Sequence, residues 1–111
     1  MNDILSVIPS LSYKSMFGAL AIFRDNKIFG MIIDEKLYFK VDAESVVEYH
    51  KLGMKPFKYK GKKKLITMPY YEVPEEIYND RDKLLDFAET AIAAAKRNER
   101  FKEPEKNSYK E

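Results

Sequence analysis

The sequence predicts an α+β domain, a two-layer antiparallel sheet with helices mainly on one face in the order α-β-β-β-α-β-β-α. Three observations carry this prediction. Between Met16 and Asp42 the apolar runs Ala19–Phe23, Ile28–Ile33 and Leu37–Val41 are separated by two short polar turns. The third run alternates, with Leu37, Phe39 and Val41 on one side and Lys36, Tyr38 and Lys40 on the other, which is the period of a half-buried strand. Residues 81–97 repeat apolar positions at helical spacing instead.

Taken in order, residues 1–11 carry Ile4, Leu5, Val7 and Ile8 ahead of Pro9, and read as a short first helix stopped by that proline. Residues 12–16 lead into the meander. Asp25-Asn26 suits a two-residue hairpin loop, because both side chains tolerate the positive φ of a type I′ turn. The run IFGMII is apolar on both faces, as expected of a central strand. Asp34-Glu35-Lys36 makes the second turn. Asp42 is a good N-cap for a helix over Ala43–Leu52, with Ala43, Val46, Val47 and His50 on one face and Gly53 as the stop. Pro56 opens a second hairpin, in which Phe57, Tyr59 and Gly61 alternate with Lys58 and Lys60 and the chain returns over Leu65–Met68. Pro69 is expected to break or end that strand, and Tyr70–Val73 continues extended into Pro74. Pro74-Glu75-Glu76 opens a helical turn. The longest helix, residues 81–97, buries Leu84, Leu85, Ala88, Ala91, Ile92 and Ala95, and its alanines permit close approach to a sheet. The chain therefore divides into one domain over residues 1–97 and a charged tail, 98–111, without a folding pattern.

The 111 residues hold 45% apolar and 34% charged side chains, which fits a soluble globular domain rather than a disordered chain. Cysteine is absent, so disulfides, thiolate metal sites and a cysteine nucleophile are excluded. No run approaches the ~18 apolar residues of a membrane span, and the amino terminus lacks a basic signal-peptide start. A cytoplasmic protein is expected. The net charge of +2 conceals a segregation: Lys51, Lys55, Lys58, Lys60, Lys62, Lys63 and Lys64 follow one another with no acid between them, while the rest of the chain carries an acidic excess.

Chemistry-bearing groups are sparse. His50 is the single histidine and has no His/Cys cluster around it to hold a metal. Asp34-Glu35 and Glu75-Glu76 are explained by turn and helix-start chemistry. Ser15, Ser45 and Thr67 lack a nucleophile-elbow context, and no glycine-rich phosphate loop is present. No catalytic residues, metal or cofactor are expected. Two binding candidates remain. Lys58, Lys60, Lys62, Lys63 and Lys64 could contact phosphates, with Phe57 or Tyr59 stacking on exposed bases, giving weak, nonspecific nucleic-acid binding. The competing reading is a solvated edge hairpin protected from aggregation by its lysines. Tyr70 and Tyr71 form the second candidate, a partner-binding patch set against a role in core and corner packing.

Met16-Phe17-Gly18, the stretch ending Leu37-Tyr38-Phe39-Lys40-Val41-Asp42, Phe57-Lys58-Tyr59, Tyr70-Tyr71-Glu72-Val73-Pro74 and the final helix DKLLDFAETAIAAAK resemble the TfoX N-terminal domain, over roughly residues 13–96. Ala19 stands where members commonly carry a second glycine. The resemblance implies a two-layer fold like that of type III secretion chaperones. It also implies kinship with the TfoX/Sxy regulators of bacterial competence, thought to act with the cyclic-AMP receptor protein. Those regulators carry a further helical domain that residues after Lys96 are not expected to supply. A non-enzymatic regulatory or protein-interaction domain is the expected function, in transcriptional control of competence or DNA uptake, with the transcription machinery or a second copy as partner. The alternatives are the nucleic-acid binder above and, behind it, a small-molecule binder using a pocket between sheet and helices.

Overall fold

Six strands form one antiparallel sheet, ordered β1-β2-β3-β4-β6-β5, in a computed structural model that describes Leu5, residues 8–16 and residues 18–101. The elements are β1 (Ser12–Met16), β2 (Ala19–Arg24), β3 (Lys27–Ile33), β4 (Lys36–Lys40), α1 (Val46–Lys51), β5 (Pro56–Lys60), β6 (Leu65–Glu72), a 3-10 turn over Glu75–Ile77, and α2 (Arg81–Phe101). The α+β class and the meander agree with the sequence reading. Several details differ, three of them at the ends of the chain. The expected helix over residues 1–11 falls largely outside the described residues; within them, the Ile8 N–H donates to the Leu5 carbonyl and closes a single turn. Residues 12–16 are a strand rather than a lead-in, pairing with β2 from Ser12↔Phe23 to Met16↔Ala19. Its side chains from Ser12 to Ser15 are exposed, so this edge strand has no buried face to impose an alternating pattern. The last helix also runs four residues past Arg97, and residues 102–111 lie outside the described residues.

Both meander turns use two consecutive residues with left-handed φ, Asp25 (54°) with Asn26 (65°) and Asp34 (52°) with Glu35 (64°). That pair of angles matches the right-handed twist of the flanking strands, and Asp and Asn accept it at little steric cost. Pro69 does not end its strand. β6 continues to Glu72, the Pro69 carbonyl accepts from the Val41 N–H at 3.0 Å, and the register with β5 shifts in the interval that contains the proline. The irregular pairing absorbs the missing N–H, which is how a proline survives inside a sheet.

One face of the sheet carries the core. Ile22, Phe29, Leu37, Phe39, Val41 and Val73 form a buried cluster with Leu84, Ala88, Ala91, Ile92 and Ala95 of α2, which packs on β3 and β4. Gly30 is required beneath it, because a Cβ there would lie 2.9 Å from the Tyr38 carbonyl oxygen and 3.0 Å from the Phe39 ring. The short α1 joins the same layer through Tyr49, whose ring meets Phe87 and Tyr71 at centroid distances of 5.4 and 5.7 Å. The buried side of α1 is therefore Val46 and Tyr49. Val47 and His50, expected on that face, are exposed, since the large Tyr49 ring removes more apolar surface from water than either.

Asp42 ties the two helices together. Its Oδ1 accepts from the Ser45 N–H at 2.8 Å while the Ser45 Oγ accepts from the Asp42 N–H at 2.9 Å, a reciprocal cap on the turn entering α1. Its Oδ2 accepts from Arg97 of α2. Burial alone would raise the Asp42 pKa, but the hydrogen bonds from Ser45 and Arg97 outweigh it and hold the carboxyl below its ordinary value. A depressed folded pKa stabilises the fold fully above the unfolded carboxylate value, about 3.9, and the contribution disappears as pH falls through the lower folded value. Asp42→Ala is expected to cost about 1 kcal/mol at neutral pH and to flatten stability below that value, as measured by urea unfolding across an acid pH series.

Candidate interaction site

The lysine hairpin is built by β5, the turn 61–64 and the first half of β6. The Gly61 N–H donates to the Lys64 carbonyl at 2.8 Å and closes the turn. Lys58, Lys60, Lys62, Lys63 and Lys64 are all exposed, and none of them forms an ion pair among the described residues. Register sorts the side chains. Lys58 lies opposite Thr67 and Lys60 opposite Leu65, whereas Tyr59 lies opposite Ile66 and so points to the other side. Tyr59 (42% exposed) and Leu65 (59%) add apolar surface to the tip. The hairpin thus offers Lys58 and Lys60 on one face, Tyr59 on the other, and three lysines around the turn. Lysine ammoniums are point charges that suit phosphate oxygens better than base edges.

Tyr70 and Tyr71 occupy opposite faces of β6. Tyr70 is 4% exposed, its ring 5.5 Å from the Lys40 Nζ. Tyr71 is half-buried on the helical face, where its hydroxyl and His50 Nε2 share a hydrogen bond of 3.1 Å. His50 stands in the last turn of α1. Among the described residues no group of three His, Cys, Asp or Glu side chains converges to hold a metal ion, and no helix is long and apolar enough to cross a membrane.

A third surface lies on the sheet face away from the helices. Lys14, Ala21, Met31, Tyr38 and Glu72 are directly opposite one another on β1, β2, β3, β4 and β6, forming one row across the sheet. Directly opposed residues share a face, and this face is not the helical one: Ala21, Phe23, Ile28, Met31, Ile33 and Tyr38 are absent from the helix-packed core. Phe57 extends it, its ring 5.4 Å from that of Tyr38. The signal was present in IFGMII, whose apolar residues on both faces call for cover on both faces.

The TfoX N-terminal domain profile matches residues 3–95 of this chain. The chain belongs to the TfoX N-terminal domain family. Two relatives agree over 94 residues each: DNA transformation protein TfoX1 of Aliivibrio fischeri at 27% identity and Protein Sxy of Escherichia coli at 26%. Both alignments take in 85% of this chain but 45% of the relative, so the chain spans less than half the length of either.

In this TfoX N-terminal domain, burial pushes the Tyr70 hydroxyl up to about 12 and raises that of Tyr49 as well. A raised folded pKa stabilises the fold fully below the ordinary tyrosine value, near 10, and that contribution is lost as pH rises through the folded one. Tyrosinate absorbance is therefore expected to show a late fraction that appears together with alkaline unfolding. Tyr70→Phe is expected to reduce that fraction and to shift the unfolding midpoint to higher pH.

Proposed function

We propose that this chain is a non-enzymatic regulatory domain that works by protein–protein contact, in control of bacterial competence and DNA uptake, within the cytoplasm. The observation that carries the reading is the family match across residues 3–95, joined to a relative named for DNA transformation. The partly exposed apolar side chains outside the helix-packed core, Phe23, Ile28, Met31, Ile33 and Tyr38, support the contact mode, since apolar patches mark interaction sites on soluble domains. The transcription machinery and a second copy of the chain are the partners considered. A chimera tests the reading: this domain replaces the corresponding half of TfoX1 in Aliivibrio fischeri, and transformation frequency and DNA-uptake transcripts are measured. Restored transformation is expected; a stably expressed chimera that restores neither would overturn the proposal.

A second reading has its own observation, five exposed lysines without ion pairs among the described residues. Phosphate contact by that hairpin gives weak, sequence-independent binding to nucleic acid. Fluorescence anisotropy on duplex DNA across a salt series is expected to give a slope of log K on log salt no steeper than about −4.5, the limit for five phosphates. Changing all five lysines to glutamine should abolish binding. An unchanged slope in that variant would remove the hairpin from consideration.

A further inference from the structure

We infer that the open face of the sheet is the contact surface for a second copy of this chain, in a two-fold dimer whose axis runs along β3. The inference rests on the interaction reading above, which takes the partly exposed face without helices as a contact surface, and it names the occupant. The row Lys14, Ala21, Met31, Tyr38, Glu72 begins with a cation on β1, ends with an anion on β6 and has Met31 at its centre. A two-fold axis along β3 turns this row onto itself. Lys14 then meets Glu72 of the second copy at both ends, Tyr38 lies over the position of the buried Ala21, and Met31 meets Met31. Charge is matched at both ends of the row, and the largest apolar side chain lies over the smallest. Such reciprocity is the condition for a closed, isologous interface.

The residues on the axis satisfy a second condition. Ile28, Met31 and Ile33 of β3 lie along it and are uncharged, so no ionised group faces its own copy. Lys36 and Lys40 of β4 lie one strand from the axis and face β2 of the second copy, where their long stems can cover apolar surface. Aligned sheets pack with strands crossing at about 30°, which an axis inclined roughly 15° to β3 produces. Lys14 is exposed and forms no ion pair among the described residues. Among the described residues Glu72 has Lys36 at 4.0 Å, a loose surface contact worth little. Both ends of the row are therefore available.

Within one chain Lys14 and Glu72 are four strand spacings apart, about 19 Å. Any strong coupling between them must cross an interface. The test is sedimentation equilibrium of the full 111-residue chain over a range of concentrations, with circular dichroism to verify folding of each variant. The wild-type chain is expected to be a dimer. Met31→Glu, which sets two carboxylates together on the axis, is expected to yield monomer. Lys14→Glu and Glu72→Lys should each weaken the dimer roughly tenfold, since each turns two attractions into repulsions. The doubly exchanged K14E/E72K chain should recover wild-type association. A wild-type monomer at all concentrations overturns the inference. So does a dimer indifferent to Met31→Glu, or one that the double exchange fails to restore, because either would place the contact elsewhere. The chimera experiment is independent: dimerisation that obeys the exchange rule without rescue of transformation would separate this contact from the regulatory role.

Discussion

The packing of Phe39 over Gly30 is the constraint on which the two-layer arrangement depends. The Phe39 ring fills the space where a Cβ at residue 30 would stand, and the ring of Phe29 lies beside it at 5.8 Å. With both rings lying low on β3 and β4, α2 can approach through a stripe of small residues, Ala88, Ala91 and Ala95, flanked by Leu84 and Ile92. Close approach on both sides leaves little void, and interiors of this kind lose stability whenever a group is added or removed.

β4 is the joint between the two halves of the sheet. On one side it completes the meander with β3, and on the other it receives β6, bringing the second hairpin into the same layer. Its first turn of backbone is tied to the segment that leads into α2: the Leu37 N–H donates to the Tyr78 hydroxyl at 2.8 Å, and the Leu37 carbonyl accepts from the Val73 N–H at 2.8 Å. Just beyond its last residue, Asp42 holds the entry to α1 and the side chain of Arg97 together. Both helices are thus fastened to the ends of one five-residue strand, which fixes them on one face.

The parts of the fold that depend on pattern and turn chemistry were legible in the residues. Alternation in Leu37–Val41, the Asp-Asn turn and the helical spacing of Leu84, Ala88, Ala91 and Ile92 each pointed to the element that is present. What was hidden depends on tertiary context. β1 has exposed side chains and earns its place through backbone pairing, which leaves no hydropathy signal. Pro69 continues a strand because the neighbouring register is irregular, a property of β5 rather than of the proline. The face of α1 was turned by one position because the value of Tyr49 lies in meeting Tyr71 and Phe87, residues far away in sequence. For the candidate sites, the lysines were evident as a charge run, but only register showed that Lys58 and Lys60 point away from Tyr59. The cross-strand row on the other face was concealed for a similar reason: it takes one residue from each of five strands.

The two surfaces are geometrically independent, and that independence bears on how the domain can work. The lysine hairpin lies beyond β6 at one edge of the sheet, while the proposed axis runs along β3, near its middle. A rotation about that axis carries one hairpin to the opposite edge of the assembly, so neither tip is covered by the other copy. A dimer formed through the open face would therefore present two cationic tips separated by roughly six strand spacings, about 29 Å. Two weak phosphate-contacting sites held at fixed separation on one particle gain from effective concentration, so that association too weak to matter for one copy becomes appreciable for two. Contact between copies and attraction to a polyanion are then successive uses of the same sheet, one of its face and one of its edge.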